Sequence, residues 1–104
     1  MTKEEITEGN KLIALYMNFK GYTSWKPNDL KYHTDWNMLM KVVEKVYLST
    51  AVKDVCIHPG KTRIWFANDI KEGFINSPCK PENSSIIECW LAIIEFIKWK
   101  NEQK

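Results

Sequence analysis

The sequence predicts an α+β domain in which a small sheet, built on a β-hairpin, carries helices on both of its faces. Two segments alternate apolar and polar residues on either side of a Pro59-Gly60 turn, which is the pattern of paired strands. Other segments repeat apolar residues at helical spacing. The 104 residues, 44% of them hydrophobic, fit one domain spanning 1–104. The expected order is α-α-β-β-(β)-α, an α-β-α sandwich.

The first predicted helix runs from Lys3 to Phe19. Thr2 stands three residues before Glu5, and this spacing is typical of a capping box at a helix N-terminus. Gly21 is a plausible stop, because glycine readily adopts the left-handed conformation that ends helices.

Residues 21–34 form an irregular segment that nevertheless contains large side chains at Tyr22, Trp25, Leu30 and Tyr32. Long loops either are pinned by their own side chains or carry function. The sequence favours pinning. If Tyr22, Trp25 and Tyr32 instead form an exposed aromatic patch, that patch is a candidate site for a protein partner.

The second predicted helix runs from Asp35 to Leu48, with Thr34 as its N-cap. Helical spacing predicts a buried stripe on it and a solvated face around Lys41, Glu44 and Lys45. The predicted buried stripe consists of Trp36, Leu39, Met40, Val43, and Val46 or Tyr47.

A β-hairpin follows, and it is the clearest strand signal in the chain. Thr62, Ile64 and Phe66 alternate with other residues after the Pro59-Gly60 turn. Both faces of these strands carry apolar or aromatic side chains, which predicts a sheet covered on both sides. Phe74-Ile75 is predicted to add a short third strand.

The last predicted helix begins after Ser84 or Ser85, and Ser85 with Glu88 has capping-box spacing. Its apolar stripe is wide, so it should be the most buried helix. The stripe consists of Ile86, Cys89, Trp90, Ile93, Ile94 and Ile97, widened by Ile87, Leu91 and Phe96.

Composition excludes some classes of protein. The net charge of +2, from 15 basic and 13 acidic residues, is too balanced to indicate nucleic acid or membrane by itself. No apolar run approaches the ~20 residues of a membrane span. The three cysteines have no regular spacing and the N-terminus is polar, which together predict reduced cysteines and a cytoplasmic location.

Motifs for catalysis or cofactor binding are missing. Gly60-Lys61-Thr62 resembles the end of a phosphate-binding loop, but position 55 is Val and a strand follows instead of a helix. Cys56 and His58 point to one face of a strand, yet no second ligand pair exists for zinc. We therefore predict a binding protein with no catalytic residue, no metal and no cofactor.

Basic and aromatic residues interleave around the hairpin, at Lys53, Lys61, Arg63 and Trp65. Such a surface binds single-stranded nucleic acid by stacking and charge. The alternative, which the weak net charge favours, is that a helix buries Trp65 while Lys61 and Arg63 solvate the turn.

Two segments carry a resemblance to a known family. Tyr32–Val46, YHTDWNMLMKVVEKV, resembles the signature Y-H-x-S-W-x-x-L-M-P-V-V-E-K-I, and Glu95–Glu102, EFIKWKNE, resembles E-F-I-K-W-Y-N-E. Both occur in small phage and prophage proteins of the type called the phage ABA sandwich domain. Here Lys41 replaces the proline and Lys100 replaces the tyrosine.

The resemblance implies helices on both faces of a small sheet and supplies no catalytic residue. It also implies a phage-encoded accessory protein in the cytoplasm of the host cell. Our first hypothesis is that it binds a host protein, such as a defence protein that it inhibits. Nucleic-acid binding through the hairpin is the alternative, and binding of a small ligand is a third.

Overall fold

The computed structural model describes residues 2–17, 30–67 and 73–103, which form three helices and one three-stranded sheet. The predicted α+β class and element order, including the third strand, are confirmed. The elements in chain order are α1 Lys3–Tyr16, α2 Trp36–Tyr47, β1 Val52–His58, β2 Lys61–Phe66, β3 Phe74–Asn76 and α3 Ser85–Glu102.

The sheet is antiparallel, with strand order β1-β2-β3. A tight turn joins β1 to β2, and Gly60 there has a φ of 73°, which a side chain would strain. The Gly60 N–H donates to Ser85 Oγ at 2.8 Å, so the start of α3 holds the hairpin turn. The pairing shifts by one residue between Val52 and Asp54 on β1.

The helices lie on one side of the described sheet. Thr62, Ile64 and Phe66 of β2 are buried, and α3 packs on β2 and β3. Helix α2 contacts both β1 and α3, so α2 and α3 share a face, and α1 packs on α3 rather than on the sheet. This differs from the predicted packing on both faces. The wide apolar surface of α3 faces the sheet on one side and α1 on the other.

Helix α1 begins as the sequence predicts. The Thr2 side chain accepts from the Glu5 N–H, and the Glu5 side chain accepts from the Thr2 N–H, which completes the capping box. The helix extends to Tyr16, three residues before the predicted end, and the N–H of its C-cap residue Met17 donates to the Ile13 carbonyl at 2.9 Å. Phe19 and the predicted stop at Gly21 lie outside the described residues.

The N-terminus of α2 corrects one prediction. The N-cap is Asp35, not Thr34: the Asp35 carboxylate accepts from the N–H groups of Asn37 at 2.9 Å and Met38 at 3.4 Å. Both residue types cap helices, and the backbone puts the carboxylate, one residue later, in reach of the free N–H groups.

The buried face of α2 is also rotated from the predicted stripe. The residues that contact the core are Leu39, Val42, Val43 and Val46. Trp36, Met40 and Tyr47 are exposed at 39%, 43% and 51%. The apolar arc of α2 is wider than its contact with the sheet and α3, so helical periodicity alone could not locate the contact.

Helix α3 is the most buried helix, as predicted, and contributes Trp90, Ile93, Phe96 and Ile97 to the core. Its N-cap is Ser84, whose side chain accepts from the Ile87 N–H at 3.4 Å. Glu88 is not the partner of a capping box. Its carboxylate is fully buried and binds the loop before the helix instead.

Candidate ligand-binding sheet face

The side of the sheet opposite the helices forms the candidate site, which we call the open sheet face. Successive side chains of a strand point to opposite sides, so strand register assigns each residue to a face. Three cross-strand rows follow from that register: Asp54–Trp65–Phe74, Cys56–Arg63–Asn76 and His58–Lys61. The alternate residues of β1 and β2 point to the core.

An aromatic pair stands at one end of the open sheet face. The rings of Trp65 and Phe74 have centroids 4.6 Å apart at 46°, and Phe74 is 42% exposed. The guanidinium carbon of Arg63 lies 4.8 Å from the Phe74 centroid, a cation–π distance. Arg63 Nε also donates to Asn76 Oδ1 at 3.3 Å. The guanidinium is therefore held beside an accessible ring.

Further basic side chains flank this pair. Lys61 is half-buried beside exposed His58, and Lys53 is exposed where the register of β1 shifts. The acidic residue Asp54 lies on the same face, where its carboxylate accepts from the Val55 N–H at 2.9 Å. Among the described residues of this face, Lys53, Lys61 and Arg63 therefore outnumber the one carboxylate, Asp54.

The thiol of Cys56 also lies on the open sheet face, beside Asp54. Its Sγ donates to Asp54 Oδ2 at 3.4 Å, and this hydrogen bond, followed by desolvation and the Asp54 charge, raises the pKa of the Cys56 thiol. Only the thiolate is a strong nucleophile or metal ligand. The hydrogen bond to Asp54 therefore favours the protonated thiol over the thiolate.

The structure places Lys61, Arg63 and Trp65 of the predicted basic and aromatic surface on one face of β2, and Lys53 flanks them at the register shift of β1. Trp65 is half-buried against Phe74, and none of the three described helices covers it, unlike the interpretation that the net charge favoured. Phe74 and Asn76 were missed as site residues. The predicted third strand contained the signal for Phe74, but its pairing register could not be read from the sequence.

Of the predicted aromatic patch of Tyr22, Trp25 and Tyr32, the structure describes only Tyr32. Tyr32 is only 4% exposed and belongs to the core together with Leu30. The buried Tyr32 ring therefore pins its segment, because a tyrosine ring contributes a large area to hydrophobic burial. Being buried, it offers no surface to a partner. Burial also raises the pKa of the Tyr32 hydroxyl. Tyr22 and Trp25 lie outside the described residues.

A buried polar network fixes the same segment to the helices. Asn10 of α1 is 1% exposed; its Oδ1 accepts from Trp90 Nε1 at 2.9 Å, and its Nδ2 donates to the Leu30 carbonyl at 2.8 Å. The same amide lies 3.0 Å from His33 Nδ1, which must accept here, since Asn10 Nδ2 is a donor. Desolvation lowers the pKa of His33.

His33 also lines a cavity of about 320 Å³ together with Lys3, Thr7 and Lys31. No carboxylate lines this cavity in the described parts of the chain. The hydrogen-bond partner of His33 Nδ1 is the Asn10 amide, so His33 has no carboxylate partner to form an oriented acid–base pair of the kind that catalysis uses. We assign His33 a structural role.

Glu88 holds the loop before α3. Its carboxylate accepts from the Cys79 N–H and, at 2.7 Å, from Asn83 Nδ2. Cys79 has a left-handed φ of 58°, which these bonds hold in place. Desolvation raises the pKa of Glu88, but hydrogen bonds from Asn83, Ser77 and the loop backbone outweigh it and hold that pKa below its ordinary value.

Metal ligation and membrane insertion have no support within the described ranges. No group of three or more His, Cys, Asp or Glu side chains there is arranged to hold a metal ion. No helix in those ranges has the length and apolar content to cross a membrane.

All three described cysteines, Cys56, Cys79 and Cys89, are free thiols. Cys89 is fully buried on α3, and desolvation raises its pKa to about 11. Comparison of the chain with protein-family models, curated proteins and solved structures found no match, so the phage resemblance stays a prediction.

Proposed function

We propose that the protein acts by binding, and that its open sheet face binds single-stranded nucleic acid. The observation that carries the proposal is the Trp65–Phe74 ring pair, in which Phe74 is exposed and Trp65 is half-buried, with Arg63 held over the Phe74 ring. Bases stack on such rings whatever their sequence, while cations beside them attract the phosphates.

The charges predict a short site with a moderate dependence on salt. Lys53, Lys61 and Arg63 supply about three phosphate contacts, so the logarithm of affinity should fall with a slope of about −2 against the logarithm of salt concentration. Raising the salt fourfold then weakens binding by roughly 15-fold. The Asp54 carboxylate repels phosphates at one side of the site, so it disfavours binding of a longer strand across that side.

The test is fluorescence anisotropy with a labelled 12-nucleotide single strand at several salt concentrations. Trp65→Ala removes a stacking surface and should weaken binding by about 5- to 100-fold. Trp36→Ala is the matched control, because Trp36 is an exposed tryptophan on α2, on the other side of the sheet. Absence of binding at low salt, or an equal effect of both variants, would refute the proposal.

A second candidate is binding of a host protein by a phage-encoded accessory protein, such as an inhibitor of a defence protein. The specific observation in its favour is an apolar stripe on α2, where Trp36, Met40 and Tyr47 are exposed. Exposed apolar patches of this kind often mark protein interfaces. The phage origin and the identity of the partner rest on the resemblance alone.

An affinity pulldown from host lysate, with and without nuclease, separates the two candidates. A stoichiometric, nuclease-resistant partner that Met40→Lys releases and Lys61→Glu retains would support the second candidate. Nuclease-sensitive material that only Lys61→Glu releases would support the first. The two variants alter exposed or half-buried side chains on opposite sides of the protein.

A further inference from the structure

A groove of about 750 Å³ lies between α1 and α3, remote from the open sheet face. Its walls are one stripe from each helix: Glu5, Gly9 and Leu12 of α1, and Leu91, Ile94 and Lys98 of α3. These spacings of three and four residues place each set on one side of its helix. We name this cavity the α1/α3 groove.

The floor of the α1/α3 groove is apolar and closely packed. Leu12 and Leu91 are half-buried there, and Ile94 and Trp90 are nearly fully buried beneath them. The Trp90 indole is fixed by its hydrogen bond to Asn10, and Gly9 lets the two helices approach closely. A ligand therefore meets a preformed apolar surface, which lowers the ordering cost of binding.

The rim of the groove is acidic. Glu4, Glu5 and Glu8 line it, and among the described lining residues the one cation is Lys98. Three carboxylates repel phosphates and anionic lipid headgroups, so neither nucleic acid nor an anionic membrane fits this groove. They attract a cationic ligand with an apolar side.

The length of the groove selects the form of that ligand. Its lining extends from residue 2 to residue 12 on α1 and from residue 90 to residue 98 on α3. At 1.5 Å per residue, these stretches measure about 12–15 Å, which matches roughly two to three turns of a helix. An amphipathic helix presents an apolar stripe to a groove of this kind with charged residues at its edges.

We propose that the α1/α3 groove binds a short basic amphipathic helix of a partner protein. The apolar stripe of that helix packs on Leu12, Leu91 and Ile94, and its lysines or arginines pair with Glu4 and Glu8. This interaction is independent of nucleic-acid binding, because the two surfaces have opposite charge and lie on different elements.

The probe is a fluorescein-labelled 14-residue helical peptide with leucines on one face and lysines elsewhere, measured by anisotropy at low salt. We expect it to bind, and an isomer with scrambled leucines or a glutamate version to bind at least tenfold more weakly. Glu4→Lys combined with Glu8→Lys should weaken binding by about tenfold, and high salt should remove most of this difference.

Separate controls test the charge of the rim, the apolar floor of the groove and the folding of the variants. Glu44→Lys makes the same type of charge change at an exposed residue of α2, away from the groove, and should leave peptide affinity within twofold. Leu91→Gln should weaken binding and Leu91→Met should restore it, with circular dichroism confirming that both variants fold. Trp65→Ala should affect nucleic acid but not the peptide, so either proposal can fail alone.

Three outcomes would overturn the inference. One is equal affinity for the patterned and scrambled peptides. Another is equal weakening by Glu44→Lys and by the Glu4 and Glu8 reversals. The third is tighter, competitive binding by dodecyltrimethylammonium below its micelle concentration, which would assign the groove to a small cationic amphiphile.

Discussion

Gly9→Ala tests how closely α1 and α3 pack. A Cβ atom at Gly9 would lie 2.4 Å from Trp90 Cζ2 and 2.6 Å from Ile94 Cδ1, whereas ordinary contacts begin near 3.4 Å. The helices would have to separate by about 1 Å there, because Trp90 and Ile94 are buried and Trp90 is hydrogen-bonded to Asn10.

Two opposing effects determine how much Gly9→Ala changes the free energy of unfolding. Helix propensity alone favours alanine over glycine by about 1 kcal/mol. Overpacking a buried contact costs about 1–3 kcal/mol, and this site is at the upper end, since the contact is with a fixed ring. The net loss should be about 1–2 kcal/mol, which lowers Tm by roughly 5–15 °C for a domain of this size.

The assay is thermal and urea unfolding followed by circular dichroism. Lys11→Ala, an exposed change on the same helix, should stay within about 0.5 kcal/mol of the unsubstituted protein. In an Ile94→Val background, which removes the atom at 2.6 Å, the cost of Gly9→Ala should fall by about 0.5–1 kcal/mol. A stabilising Gly9→Ala would show that propensity outweighs the contact and would refute this account.

Three further predictions test the polar contacts. Glu88→Gln should cost about 1–3 kcal/mol at neutral pH. Because the folded pKa of Glu88 lies below its ordinary value of 4.5, the stabilisation from its charge is complete above that pH and is lost as the pH falls through the folded pKa. Acid titration of stability should therefore bring the unsubstituted protein and Glu88→Gln together, and a constant gap would contradict the assignment. Asn10→Leu leaves Trp90 Nε1 unpaired in the core and should cost about 2–4 kcal/mol in urea unfolding, whereas a neutral result would deny the network any energetic role. Asp35→Ala should cost about 1 kcal/mol and Thr34→Ala much less, as measured by Tm, and the reverse order would restore Thr34 as the cap.

The hairpin and the start of α1 could be predicted because their signals are local. Alternation on either side of Pro59-Gly60 identifies two strands, and Thr2 with Glu5 identifies a helix start within four residues. The cap of α2 was misplaced by one residue, since adjacent Thr34 and Asp35 are both good caps and only the backbone path distinguishes them.

The candidate site was predictable only in part. Lys61, Arg63 and Trp65 share one strand face by alternation, so their proximity follows from the sequence. That Phe74 stacks on Trp65 depends on the register of β3, which crosses a seven-residue connection and leaves no local mark. The α1/α3 groove required the relative position of two helices at opposite ends of the chain.

By itself, the sequence determined the α+β class, the element order, the hairpin and the burial of α3, because periodicity and turn residues act over a few positions. Tertiary structure decided which part of each apolar surface is covered. The wide apolar arc of α2 turns Leu39 inward and leaves Met40 exposed, and Tyr32 enters the core while Phe74 stays at the surface. The physical reason is that burial depends on contacts between distant segments, and a hydrophobic residue is equally compatible with the core and with a binding surface.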